Sequence, residues 1–124
     1  MLINMEDRKN FKINKLINKY KSKDNLIIAR TTRKTIRYIE KNTHNFPNEY
    51  IILKNRIIDS CYKILENIYR ANIFQEINDK KEIIVNIQML NFYLEESYNY
   101  GILSNKKLIS YSSYLLEIDK MVRS

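Results

Sequence analysis

Side chains that could do chemistry are few, and their spacing narrows them further. The chain has one cysteine, Cys61, and one histidine, His44, which excludes an intramolecular disulfide, a multi-cysteine zinc site and a His-rich metal centre. Cys61 lies among Ile57, Ile58, Ile64 and Leu65 with no activating base beside it, the setting of a small buried hydrophobe. Arg37 and His44 stand in the spacing R-x6-H, two groups that RNA cleavage could use, although a lone histidine near a helix end reads first as a cap or surface group. Glu95 and Glu96 are adjacent, so on a helix they point about 100° apart. Glu76, Asp79 and Glu82 fall at a loop and helix start, where acids complement the helix dipole. Neither group makes an acid/base or metal pair, and a chain with one glycine cannot build a phosphate-cradling G-x-x-x-x-G-K or G-x-G-x-x-G loop. The expected catalytic and metal sites are therefore none, and no cofactor is implied.

What the chain does have is cationic charge, unevenly placed. Residues 1–45 carry 12 Lys and Arg against 4 acids, whereas residues 46–124 carry 10 of each, so the whole net charge of +8 lies in the first third. That split describes a basic arm or face on a neutral scaffold, and its commonest partner is a polyanion; the plainer alternative is a solubilising bias. Lys12, Lys15 and Lys19, together with Arg30, Arg33, Lys34, Arg37 and Lys41, are the candidate phosphate contacts.

The elements that must position these groups are helical. One Gly and one Pro in 124 residues leave almost nothing for the tight turns of a sandwich, barrel or crossover fold. No stretch approaches the roughly 20 apolar residues of a membrane span, and the first residues lack a secretory pattern, so a cytoplasmic protein without membrane contact is expected. Residues 1–23 read as a basic arm, with Ile13, Leu16, Ile17 and Tyr20 at helical spacing in a short amphipathic helix that could also lie on a membrane surface. The first helix of the body is expected from an Asp24 cap to Thr43, with Ile28, Thr32, Ile36 and Ile39 on one stripe and the cations opposite. Asn45-Phe46-Pro47 ends it, and a second helix is expected over 47–72, with Leu53, Ile57, Ile58, Cys61, Ile64, Leu65 and Ile68 inward and Asp59–Lys63 and Glu66–Arg70 paired outside.

A third helix is expected from an Asp79 cap to Tyr100, stopped by Gly101. Its segment IIVNIQMLNFYL, residues 83–94, holds no charge. A helix in a monomeric bundle normally shows a charged outer stripe, so Ile83, Ile84, Ile87, Met89, Leu90, Phe92 and Tyr93 are expected to meet another subunit. Ser104 caps a fourth helix, where Leu108, Tyr111, Leu115, Ile118 and Val122 repeat in steps of three and four. Short connections between long helices make residues 24–124 an antiparallel, up-down-up-down four-helix bundle in an all-α fold.

The order of features from Phe46 onward carries a resemblance. Phe46-Pro47, Leu53 with Arg56-Ile57, Ala71-Asn72, Lys80 or Lys81, Ile102-Leu103-Ser104 and Glu117-Ile118-Asp119-Lys120-Met121 follow one another as in the four-helix bundle family of the accessory variability determinant (Avd) of diversity-generating retroelements. That family also contains the proteins encoded in intervening sequences of 23S ribosomal RNA genes. The resemblance covers about residues 25–123. It implies a non-enzymatic basic homopentamer that, in the retroelement branch, binds a reverse transcriptase and its template RNA, with DNA as a further polyanion, and supports cDNA synthesis in mutagenic retrohoming. In the other branch it implies an interaction bundle without a reverse transcriptase, for which the tyrosines supply interface area. The R-x6-H spacing of Arg37 and His44 resembles, more remotely, the signature of HEPN ribonucleases, which are also helical bundles.

Overall fold

The computed structural model describes residues 5–23 and 26–124, with side chains placed at 7–17 and 26–124. The fold is all-helical: α1 (Met5–Lys23), α2 (Ile27–Thr43), α3 (Ile51–Phe74), α4 (Ile77–Asn99) and α5 (Asn105–Arg123), with one 3-10 turn over Asn48–Tyr50. Helix α3 packs most extensively on α4, and α2–α3, α4–α5 and α2–α5 contacts close the bundle around a shared core. Among the described residues the backbone of α1 makes no close approach to the other helices.

Helix boundaries follow the local chemistry. Helix α2 opens after an extended Leu26 without a side-chain cap; Asp24, the expected cap, lies outside the described residues. The second helix begins later than expected, because Pro47 is extended at ψ 148° and leads into the 3-10 turn, whose first bond runs from Tyr50 N–H to the Pro47 carbonyl at 2.9 Å. Helix α3 then continues past Asn72 to Phe74 and is stopped by Gln75, which takes a left-handed φ of 56° and donates its N–H to Ala71 at 2.9 Å. Asp79 is not the cap of the next helix but lies in its first turn, where its charge faces the positive end of the dipole. That helix ends where expected. Gly101, at φ 78°, donates to Tyr98 while Ile102 donates to Ser97, the two bonds of a Schellman stop. Ser104 caps α5 by accepting from Lys107 N–H at 3.2 Å.

The core is built from Ile36, Ile39, Ile57, Ile64, Ile83, Leu90, Leu94, Tyr111, Leu115 and Ile118, all buried. Thr32, Thr35, Thr43 and Ser97 are buried with them, and each satisfies its hydroxyl on its own helix. Thr32 Oγ1 donates to the Ile28 carbonyl at 2.7 Å, Thr35 to Thr31 at 2.9 Å, Thr43 to Glu40 at 3.2 Å and Ser97 to Tyr93 at 2.8 Å. Such local back-bonding removes the penalty of burying a hydroxyl. Among the described residues no buried side-chain nitrogen or oxygen lacks a partner.

The two left-handed stops should respond oppositely to substitution. Gln75→Gly relieves the clash of a Cβ at positive φ and is expected to raise stability to urea by roughly 0.5–1 kcal/mol. Gly101→Ala is expected to lower it by about 1 kcal/mol; nothing lies within 4 Å of the added Cβ, so that decrease is conformational and not a collision. Urea unfolding followed by circular dichroism reads both, and equal signs would contradict the assignment.

Candidate nucleic-acid interface

Helix α2 sets the direction of the basic cluster. Its buried side consists of Ala29, Thr32, Thr35, Ile36, Ile39 and Thr43. At 100° per residue Arg30, Lys34, Arg37 and Lys41 fall on the opposite side within roughly 60° of arc, in a row about 16 Å long. All four are exposed. Among the described residues none of them forms an ion pair; the ion pairs join Glu66 to Arg70 at 3.1 Å and Asp119 to Arg123 at 2.8 Å, both on other helices. The expected Asp59–Lys63 pair does not form.

Glu40 is the one acid in α2, half-buried beside the row and close enough to Cys61 and Tyr62 of α3 to act on both. The Glu40 carboxylate beside it, followed by burial, pushes the Tyr62 phenol of α3 above its ordinary range. Arg33 differs from its neighbours: it is half-buried and engaged in an interaction of its own, so it belongs at the edge of the cationic face and not in its centre.

On α1, Lys12 and Lys15 are exposed, while the side chains of Lys19 and Tyr20 lie outside the described residues. The expected apolar stripe of this helix is also exposed, with Ile13, Leu16 and Ile17 open to solvent. The helix spans 19 residues, longer than the short segment expected.

Beside the row, α2 and α5 are joined by aromatic contacts that sequence spacing does not reveal, since the partners are far apart in the chain. The rings of Tyr38 and Tyr114 lie 6.1 Å apart with planes tilted by 55°. Tyr111 is buried, and its hydroxyl donates to the Tyr38 carbonyl at 3.5 Å. Burial raises the Tyr111 phenol above its ordinary range.

The expected subunit-interface residues separate into two groups. Ile83, Ile87 and Leu90 are 2%, 7% and 1% exposed and belong to the chain's own core, which removes them from any outer surface. Ile84 and Tyr93 are half-buried against that core. Met89 and Phe92 do face outward, and Val85, which sequence reasoning left out, joins them at i, i+4, i+7 spacing with 55% exposure. The uncharged segment is thus apolar on two sides: one side packs inward and the other is open.

His44 is exposed at the end of α2, where its backbone N–H bonds to the Glu40 carbonyl. Cys61 is buried on α3 as expected, and its thiol is pushed up to about 12, first by burial and then by the charge of Glu40. Among the described residues no three His, Cys, Asp or Glu side chains could share a metal ion, and no helix is long and apolar enough to cross a membrane. Comparison with protein-family models, with curated proteins and with solved structures gave no match.

The Cys61 thiol has a measurable signature. Its folded value lies above the ordinary 9.0, so its contribution to stability is whole below about pH 9 and fades as pH rises towards 12. Native protein at pH 8 is expected to resist iodoacetamide while urea-unfolded protein is alkylated, and the decline of stability above pH 9 should shrink in Cys61→Val. Rapid alkylation of the native chain would show the thiol to be accessible.

Proposed function

We propose that the chain is a non-enzymatic nucleic-acid-binding bundle that holds RNA on the outer face of α2. The observation that carries this reading is the row Arg30, Lys34, Arg37 and Lys41, exposed and, among the described residues, in no ion pair, while the helix's one acid lies near Tyr62 of α3. Cations left unpaired at helical spacing are suited to phosphate, whose contact is largely independent of sequence. Lys12 and Lys15 extend the same sign of charge along α1, which serves as a basic arm. The thiol of Cys61, neutral and buried, supplies no nucleophile.

The finer reading follows the resemblance to the Avd family. In it the protein is a cytoplasmic accessory subunit that brings a template RNA to a reverse transcriptase, with helices α2–α5 alternating up and down. One cavity is lined by Leu26 and Ile28, Ile68 and Ala71, Lys80 and Ile83, and Met121 and Val122. These residues come from the start of α2, the end of α3, the start of α4 and the end of α5, as an antiparallel order requires. A homopentamer is the expected assembly. Its support in the geometry is the open stripe of Val85, Met89 and Phe92, since a run of exposed apolar side chains on one helix marks an interaction surface.

The phosphate assignment is tested with an exposed triple variant, Arg30→Glu, Lys34→Glu and Arg37→Glu, titrated against a labelled RNA over a range of salt. RNA affinity is expected to fall steeply, and the log-log salt slope to drop by about 0.7 to 0.9 for each phosphate that the variant no longer neutralises. An unchanged affinity and slope would place the RNA elsewhere or leave an acidic protein as the partner of the basic third. Cleavage of the RNA that disappears in His44→Ala would instead favour the ribonuclease reading.

Assembly is read separately by light scattering on a sizing column. The expected mass is about five times that of the 15.1 kDa chain. Met89→Glu with Phe92→Glu should reduce it to one chain while helicity is kept, because neither side chain contributes to the buried core. A wild-type monomer would leave the open stripe without this role.

A further inference from the structure

The cationic row has an aromatic neighbour. Tyr38 lies between Lys34 and Lys41 along α2 and is displaced from their line towards Tyr114 of α5, and it is 57% exposed. It is also held in place. Its backbone carbonyl accepts from the Tyr111 hydroxyl at 3.5 Å and from Asn42 Nδ2 at 2.9 Å, and its ring leans on Tyr114 at 6.1 Å. In front of the two rings runs a groove of about 290 Å³ lined by Thr31, Lys34, Thr35, Tyr38, Tyr114 and Glu117.

We propose that this groove is a subsite for one unpaired base of a single-stranded RNA, and the proposal rests on reading α2 as the RNA-contact face. The base stacks on the open face of Tyr38, Tyr114 closes the α5 side, and the phosphates on either side of that nucleotide meet Lys34 and Lys41. An exposed aromatic ring flanked by cations is the arrangement by which single strands are bound, because every base has a face to stack and a backbone to neutralise. A base inside a duplex is already stacked above and below, so a paired strand cannot use the groove. Glu117 adds a preference. A carboxylate only accepts hydrogen bonds, so it favours a base that presents an exocyclic amino group, such as cytosine, over uracil.

Labelled oligocytidylate, oligouridylate and a blunt RNA duplex of equal length, titrated by fluorescence anisotropy, test this. Tyr38→Ala is expected to weaken binding of the single strands by about 5- to 100-fold, to leave the duplex titration unchanged and to leave the salt slope unchanged. Tyr38→Phe keeps the ring and is expected to bind as wild type. Glu117→Gln is expected to narrow the preference for cytidylate over uridylate. Tyr38 is exposed and its hydrogen bonds come from its backbone, so Tyr38→Ala should fold. If Tyr38→Ala binds single strands as wild type while the triple Glu variant does not, the groove assignment is overturned and the phosphate face stands. If Tyr38→Ala weakens duplex and single strand alike, stacking of an unpaired base is overturned. If wild type binds none of the three RNAs, both readings fall together.

Discussion

The rotational setting of α2 is the constraint on which the rest depends. This helix buries three threonines, Thr32, Thr35 and Thr43, along with Ile36 and Ile39. A hydroxyl can enter a core only when its hydrogen bond is made, and each of these makes it to a carbonyl three or four residues back on the same helix. The threonine face is therefore compatible with burial, and it is less bulky than a face of isoleucines, which lets α2 lie between α3 and α5. Turning α2 by a third of a revolution would bury an arginine or lysine without a partner, at a penalty of several kcal/mol. The core face thus decides where the cations point, and with them where Tyr38 stands relative to Tyr114.

Much of this was legible in the residues themselves. The all-helical fold follows from the near absence of Gly and Pro together with three- and four-residue apolar spacing, and the ends at Gly101 and Ser104 follow from residue types that have one strong preference each. The entry to α3 was less legible: Pro47 suits the first position of an α-helix, but here a 3-10 turn intervenes, and both conformations share the same proline φ. Gln75 gave no warning of its positive φ, because that value is imposed by the short connection into α4 and not by the side chain. The cationic row could be read from 100° spacing. Its lack of ion pairs among the described residues could not, since the placing of Glu40 near Tyr62 depends on the packing of two helices. The Tyr38–Tyr114 groove was illegible for the same reason.

Helix α4 shows where composition misleads. Twelve uncharged residues announce that more than one side is apolar, but they do not say which residues face which side. The structure assigns Ile83, Ile87, Leu90 and Leu94 to the core and leaves Val85, Met89 and Phe92 outside. The two sets interleave at helical spacing, and only the packing of α4 between α3 and α5 separates them. An apolar outer stripe on α4 and a cationic one on α2 also divide the surface by chemistry, so that an apolar partner and a polyanion need not compete for the same helix.

The unneutralised row on α2 has a consequence for the folded state itself. Arg30 with Lys34, Lys34 with Arg37, and Arg37 with Lys41 are like charges at i, i+4, i, i+3 and i, i+4, each pair opposing helix formation by about 0.2–0.5 kcal/mol. Helix α2 is thus held in shape against its own repulsion by the core it packs on. Any anion that settles on the row relieves that repulsion, and by linkage the melting temperature rises with its concentration. Ordinary salt screens the same pairs. The protein is therefore expected to be least stable in dilute buffer and to be braced by any polyanion that binds the row, with α2 acting as a spring that such a ligand unloads.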